Sequence, residues 1–273
     1  MEPIITISQL TLLLLSIGLF VSTLEYLKKV EIFSVTGLST WNVMQLRWYK
    51  NNNHFFNHLL SNIFTVRGIS LLFIVRLIAL AGLFLFPFAS PASWLLLGIL
   101  LSNLLLSSMI TFYGSDGSDQ MNLLIIVTLF LCTCPFMGSL NLTEKGLWFI
   151  GLQSCLSYCV AGIAKLLSHE WRNASAVRDV FSTKTYGSAW AAKLLNKHPV
   201  LNFFLCWNVI IMECLFPLCL ILPWPVASLF LIWGAIFHLL TTIIMGLNSF
   251  FWAFLATYPA IYYINHQMPW HLF

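Results

Sequence analysis

Apolar residues come in runs of roughly 20 along almost the whole chain, separated by short polar breaks. An α-helix needs about that many residues to cross the hydrocarbon core of a bilayer. The pattern predicts about eight membrane helices, at residues 4–27, 68–86, 92–112, 121–137, 146–167, 199–222, 226–247 and 250–264. Pro87 ends the second and Pro135 stands near the end of the fourth. Pro217 predicts a kink in the sixth, and Pro259 lies inside the eighth. Residues 113–120, rich in Gly and Asp and containing Asp116 and Asp119, read as a tight turn. Two breaks are longer. The first mixes aromatic and basic positions around Trp41, Arg47, Trp48 and Lys50. The second, residues 169–198, reads as short amphipathic helices broken at Gly187, with Ala189, Trp190, Leu194 and Leu195 toward lipid and Lys193 and Lys197 toward headgroups. Both fit interfacial helices. The expected fold is therefore all-α, a polytopic membrane helix bundle, with one membrane domain over residues 1–273.

Composition supports this class. Of the 273 residues, 59% are hydrophobic and 8% charged, against about a quarter charged in soluble domains. Mean hydropathy is +0.87. A net charge of +4 matters less than its distribution. Lys28, Lys29, Arg47, Lys50, Arg67, Arg172, Arg178, Lys184, Lys193 and Lys197 fall in the breaks after the odd-numbered helices, and Lys145 falls on the other face. The positive-inside rule then puts both termini outside and the basic loops in the cytosol. This distribution speaks for orientation and against nucleic-acid binding. The first run lacks a basic leader and a small-residue cleavage site, so it reads as a retained helix. The membrane is the plasma membrane in a bacterium or the endoplasmic reticulum in a eukaryote. Asn141-Leu-Thr143 forms a glycosylation sequon in a predicted loop. The seven cysteines form no CxxC and read as small buried hydrophobes. His54 and His58 share a helical face, but a third ligand is missing nearby and no metal is expected.

Four ionisable groups interrupt the apolar runs: Arg76, Lys165, Glu213 and His238. Charge at mid-bilayer costs about 2.5–3.5 kcal/mol on insertion scales, so each must face protein or water. The predicted depths allow one polar pocket, open toward the cytosolic side, with Asp116 and Asp119 nearby. Each group also has a plainer reading. Lys165 ends its run and can snorkel to the headgroups. Arg76 can pair with Glu213 as structural glue. His238 can serve a helix–helix hydrogen bond, and the aspartates can simply form the turn.

Ala161-Gly-Ile-Ala-Lys-Leu166, followed by Trp171, resembles a segment of the HTTM (horizontally transferred transmembrane) domain, the membrane domain of vitamin K-dependent γ-glutamyl carboxylases and their bacterial relatives. Glu213-Cys-Leu-Phe-Pro217, Phe237-His238, Met245-Gly-Leu-Asn-Ser-Phe250 and Tyr258-Pro259 follow in the same order, so the resemblance covers residues 67–259 and leaves 1–66 as an added helix and interfacial loop. In that family a reduced quinone, deprotonated by a lysine, yields the base that takes a proton from a glutamate side chain before carbon dioxide adds. The resemblance implies that Lys165 is the base, that His238, at a family position, is a second catalytic residue, and that Arg76, Glu213, Asp119 and Trp171 bind the cofactor. A second family lysine is replaced by Ala164, a family histidine is absent near Asp116, and no large lumenal domain is expected. The chain is similar in size to stand-alone members such as the membrane proteins that mature a sporulation-delaying peptide toxin.

Two classes of function follow. One is a quinone-dependent membrane enzyme that modifies a peptide or protein, with a partner subunit. The other is a non-catalytic maturation or immunity partner, or a small transporter, in which the buried charges serve packing or a substrate path.

Overall fold

In a computed structural model, residues 2–34, 37, 39–48, 54–111, 117–137 and 139–268 are described. Asp116 and most of the turn expected around it lie outside those residues, as do Lys50, Trp270 and His271 and the side chains of Arg47, Trp48 and His54. All regular structure among the described residues is helical. Six helices are long and apolar enough to cross a membrane, which makes this an integral membrane protein. The chain forms two compact units, residues 1–143 and 144–273.

Unit 1 contains α1 (Glu2–Lys28), α2 (Trp41–Met44), α3 (His54–Ile63), α4 (Val66–Leu85), α5 (Pro91–Ile110) and α6 (Gly117–Cys132). The helix ends follow from local chemistry. Thr65 accepts a hydrogen bond from the Gly68 amide to start α4, and Ser90 accepts one from Ser93 to start α5, with Pro91 in the first turn. The core of this unit joins the end of α1 to α4, where Tyr26 stacks on Phe73 at 5.4 Å, and α2 to the residues before α4, where Trp41 packs on Phe64 at 4.7 Å. Trp41, expected at the headgroups, is buried in this core, because its ring completes the aromatic cluster with Phe33, Met44 and Phe64. Asp119, expected in a turn, lies in the first turn of α6, where a carboxylate suits the helix dipole. α6 runs 16 residues from Gly117 and ends at Cys132, before Pro135, so the expected span 121–137 is shifted toward the N-terminus.

Unit 2 takes most of α7 (Leu140–Leu167), then α8 (His169–Arg172), α9 (Ala176–Phe181), α10 (Ala189–Lys197), α11 (Pro199–Leu215), α12 (Trp224–Met245), α13 (Asn248–Leu255) and α14 (Tyr258–Gln267). α7 starts six residues before the expected boundary, since Ser139 Oγ accepts from the Leu142 amide at 3.1 Å. The Asn141 sequon is thus helical, not a loop. Pro217 acts as expected: α11 stops at Leu215 and the chain tightens into a 3-10 turn, Phe216–Leu220. Pro259 lies in the first turn of α14, so the expected eighth helix is two short ones, of 8 and 10 residues. Gly246, at φ 74°, ends α12 in the left-handed conformation that glycine adopts without penalty.

Candidate functional site: a cavity on α7, α11 and α12

Gly162 brings α7 against α11. A Cβ there would stand 2.6 Å from the Cys214 amide nitrogen and 2.9 Å from the Glu213 carbonyl carbon, so only glycine permits this approach. One turn later Lys165 projects from α7, and its Nζ donates to Glu213 Oε2 at 2.7 Å. The lysine side chain is 21% exposed and the glutamate 5%. The ammonium also lies 5.3 Å from the centre of the Trp171 ring, within cation–π range. Ser168 positions Trp171, with its hydroxyl capping α8. Lys165 is therefore turned into the protein rather than snorkelled.

Lys165, Glu213, Trp171, His238 and Tyr158 line one cavity of about 410 Å³. Its walls are apolar, supplied by Phe237, Phe250, Phe254, Val177 and Val209 among others. Leu205 and Leu240 line it and are also exposed on the outer surface, which gives it an apolar mouth. His238 is buried, stacked on Phe254 with centroids 4.7 Å apart, and its Nε2 lies 2.8 Å from the Tyr158 hydroxyl. The Tyr158 hydroxyl lies 3.2 Å from that of Tyr258, and its ring stacks on Phe216 at 3.8 Å.

Elsewhere on α9, Arg178 Nε donates to Asp179 Oδ1 at 2.9 Å and holds that carboxyl below the usual aspartate range. The Ser168 hydroxyl does the same for Glu170 through a 2.7 Å bond.

Arg76 and Asp119 belong to unit 1. Arg76 and Glu213, expected to pair, are each engaged inside their own unit. Arg76 Nε donates to Asn103 Oδ1 at 2.6 Å and Nη2 to Ser107 Oγ at 2.5 Å, while Asn103 Nδ2 donates to the Leu72 carbonyl. Asn103 and Ser107 stand four apart on α5, on the face that meets α4, so two neutral side chains hold the guanidinium. Arg76 and Asp119 both line a small cavity of about 80 Å³ within unit 1. Unit 1 also carries a larger hollow of about 680 Å³, but its walls are apolar and its one amide, Asn103, is already engaged by Arg76 and Leu72.

Tyr158 and Tyr258 were not singled out by sequence as site residues. The available signal was a phenol inside an apolar run, which needs a partner when buried. Comparison with protein-family models, curated proteins and solved structures returns no match for this chain.

Proposed function

We propose that the chain is an HTTM-like integral membrane protein that holds a lipid-soluble, quinone-type ligand in the unit 2 cavity and acts on a peptide or protein substrate with a partner subunit. The observation that carries this reading is the convergence of Lys165, Glu213 and His238 on one apolar cavity with an apolar mouth. Its volume falls within the roughly 300–1,000 Å³ typical of small-molecule sites. The residues present fit such a ligand. Phe237, Phe250 and Phe254 offer faces for a ring and exclude water, and the apolar mouth admits an isoprenoid tail from lipid. The ligand would supply two-electron redox chemistry coupled to proton release. A proton held at Lys165 Nζ has Glu213 Oε2 2.7 Å away, so the pair can share it, and the Trp171 face covers the ammonium.

In this reading α6, and α13 with α14 together, add to the six long helices to give eight crossings. The termini lie outside and residues 169–198 lie in the cytosol.

A second reading rests on the same ion pair. A lysine and a glutamate joining α7 to α11 are also what an interhelical tie in a non-catalytic protein requires. Lys165→Arg separates the two, because arginine keeps the charge and the pair but does not give up its proton. The assay is oxygen uptake by proteoliposomes supplied with a reduced menaquinone. The catalytic reading expects Lys165→Arg to lose about a hundredfold or more in rate with its thermal transition preserved. Full activity in the arginine variant favours the tie.

A further inference from the structure

The Tyr158–Tyr258 contact continues through His238 to the cavity. Three polar groups stand in line: the Tyr258 hydroxyl, the Tyr158 hydroxyl 3.2 Å away, and His238 Nε2, 2.8 Å further on. Among the described residues neither hydroxyl has another hydrogen-bond partner. Each phenol has one proton to donate. If His238 Nε2–H donated to Tyr158, then Tyr158 would donate to Tyr258, and the Tyr258 proton would find no acceptor in a protein interior. A buried donor left without a partner costs about 1–3 kcal/mol. In the opposite order Tyr258 donates to Tyr158, Tyr158 donates to Nε2, and every hydroxyl proton is used. That order leaves the His238 proton on Nδ1.

Nδ1 has no partner among the described residues, yet it is not among their fully enclosed polar atoms that lack one. His238 lines the cavity, so the cavity is the space in which an Nδ1 proton would meet an acceptor. We infer that Tyr158 and Tyr258 are positioning residues that hold His238 as an Nδ1–H donor toward the cavity, and that the cavity's ligand carries an oxygen acceptor for that proton. The acceptor half of this inference rests on the function proposed above; the tyrosine half stands without it.

Gly234 supports the arrangement from α12. A Cβ at that position would collide with the Tyr258 hydroxyl and lie 3.1 Å from the Tyr158 hydroxyl. Glycine at this point leaves room for the two hydroxyls to meet.

Nitrogen NMR of the full-length protein labelled with 15N-histidine, with His238 assigned by loss of its signals in His238→Gln, reads the tautomer with no ligand added. The expected wild-type spectrum shows Nδ1 protonated and Nε2 unprotonated. In Tyr158→Phe the proton moves to Nε2, the tautomer that free imidazole favours. Gly234→Ala reports the same change without removing either hydroxyl, and serves if Tyr158→Phe does not fold. A wild-type spectrum with Nε2 protonated overturns the inference. So does an Nδ1–H signal that survives in the folded variants. The acceptor half is read with two probes of similar shape, menadione and 2-methylnaphthalene. Wild type is expected to favour menadione by about tenfold, the worth of one hydrogen bond, and Tyr158→Phe to approach parity. Parity in the wild type overturns the acceptor half. If neither probe binds while the Nδ1–H tautomer is present, the ligand proposal fails and the tyrosine relay stands.

Discussion

Lys165 and Glu213 show how one pair can join stability to chemistry. Removing one partner of a largely buried ion pair leaves the other charge stranded, at a cost of about 3–5 kcal/mol. Lys165→Met is therefore expected to lower the thermal transition in detergent sharply, while Lys165→Met combined with Glu213→Met recovers most of the loss; additive losses would mean that the two side chains do not depend on each other. Arg76 is anchored differently. Asn103→Leu removes the acceptor for its Nε and a donor to the Leu72 carbonyl. The expected cost is about 2–4 kcal/mol, read as a lowered unfolding midpoint; a neutral result would place the guanidinium elsewhere. The sequence showed that each buried charge needs a partner, because apolar runs make isolated charges costly. It did not show which partner. Arg76 had Glu213 as its apparent complement, yet Asn103 and Ser107, unremarkable in a run of leucines, do the work. Pairing across helices depends on packing, which periodicity alone does not encode.

At the scale of elements, glycine and proline were the legible punctuation. Pro217 and Pro259 set the end of α11 and the start of α14 through the amide they lack. The split of the last apolar run was harder to read, because residues 250–264 are apolar enough to look continuous. The role of Gly162 was invisible until α11 was seen against it. Gly162→Leu is expected to force α7 and α11 apart, stretch the 2.7 Å ion pair and destabilise the protein by several kcal/mol. Wild-type stability would contradict that close approach. The short helices of residues 169–198 carry a pH dependence. Arg178 holds the Asp179 carboxyl below its unfolded value of about 3.9. A depressed folded value adds stability that is full above the unfolded value and is lost as pH falls through the folded one. The side chain is 54% exposed, so the contribution is small. The protection of α9 amides from hydrogen exchange, relative to Asp179→Asn, should be constant near neutrality and fall only in acid; a fall in that relative protection above pH ~5 would contradict this.

For the whole molecule, the hydrophobic pattern made the class plain, and six long apolar helices follow from it directly. The remaining crossings and the orientation rest on short helices and on charge distribution. With the seven native cysteines replaced by alanine and Lys184 by cysteine, a membrane-impermeant maleimide should label the protein only after the membrane is opened; labelling of intact cells would invert the topology. The account as a whole depends on what fills the cavity of unit 2. The most direct measurement is organic extraction of the protein purified from its own membranes, with mass spectrometry of the extract compared between wild type and Ala161→Phe, which fills the cavity from α7. The account predicts a quinone in the wild-type extract at close to one per chain, and its loss from the filled variant with the fold intact. A wild-type extract without quinone, or equal amounts from both proteins, would contradict it.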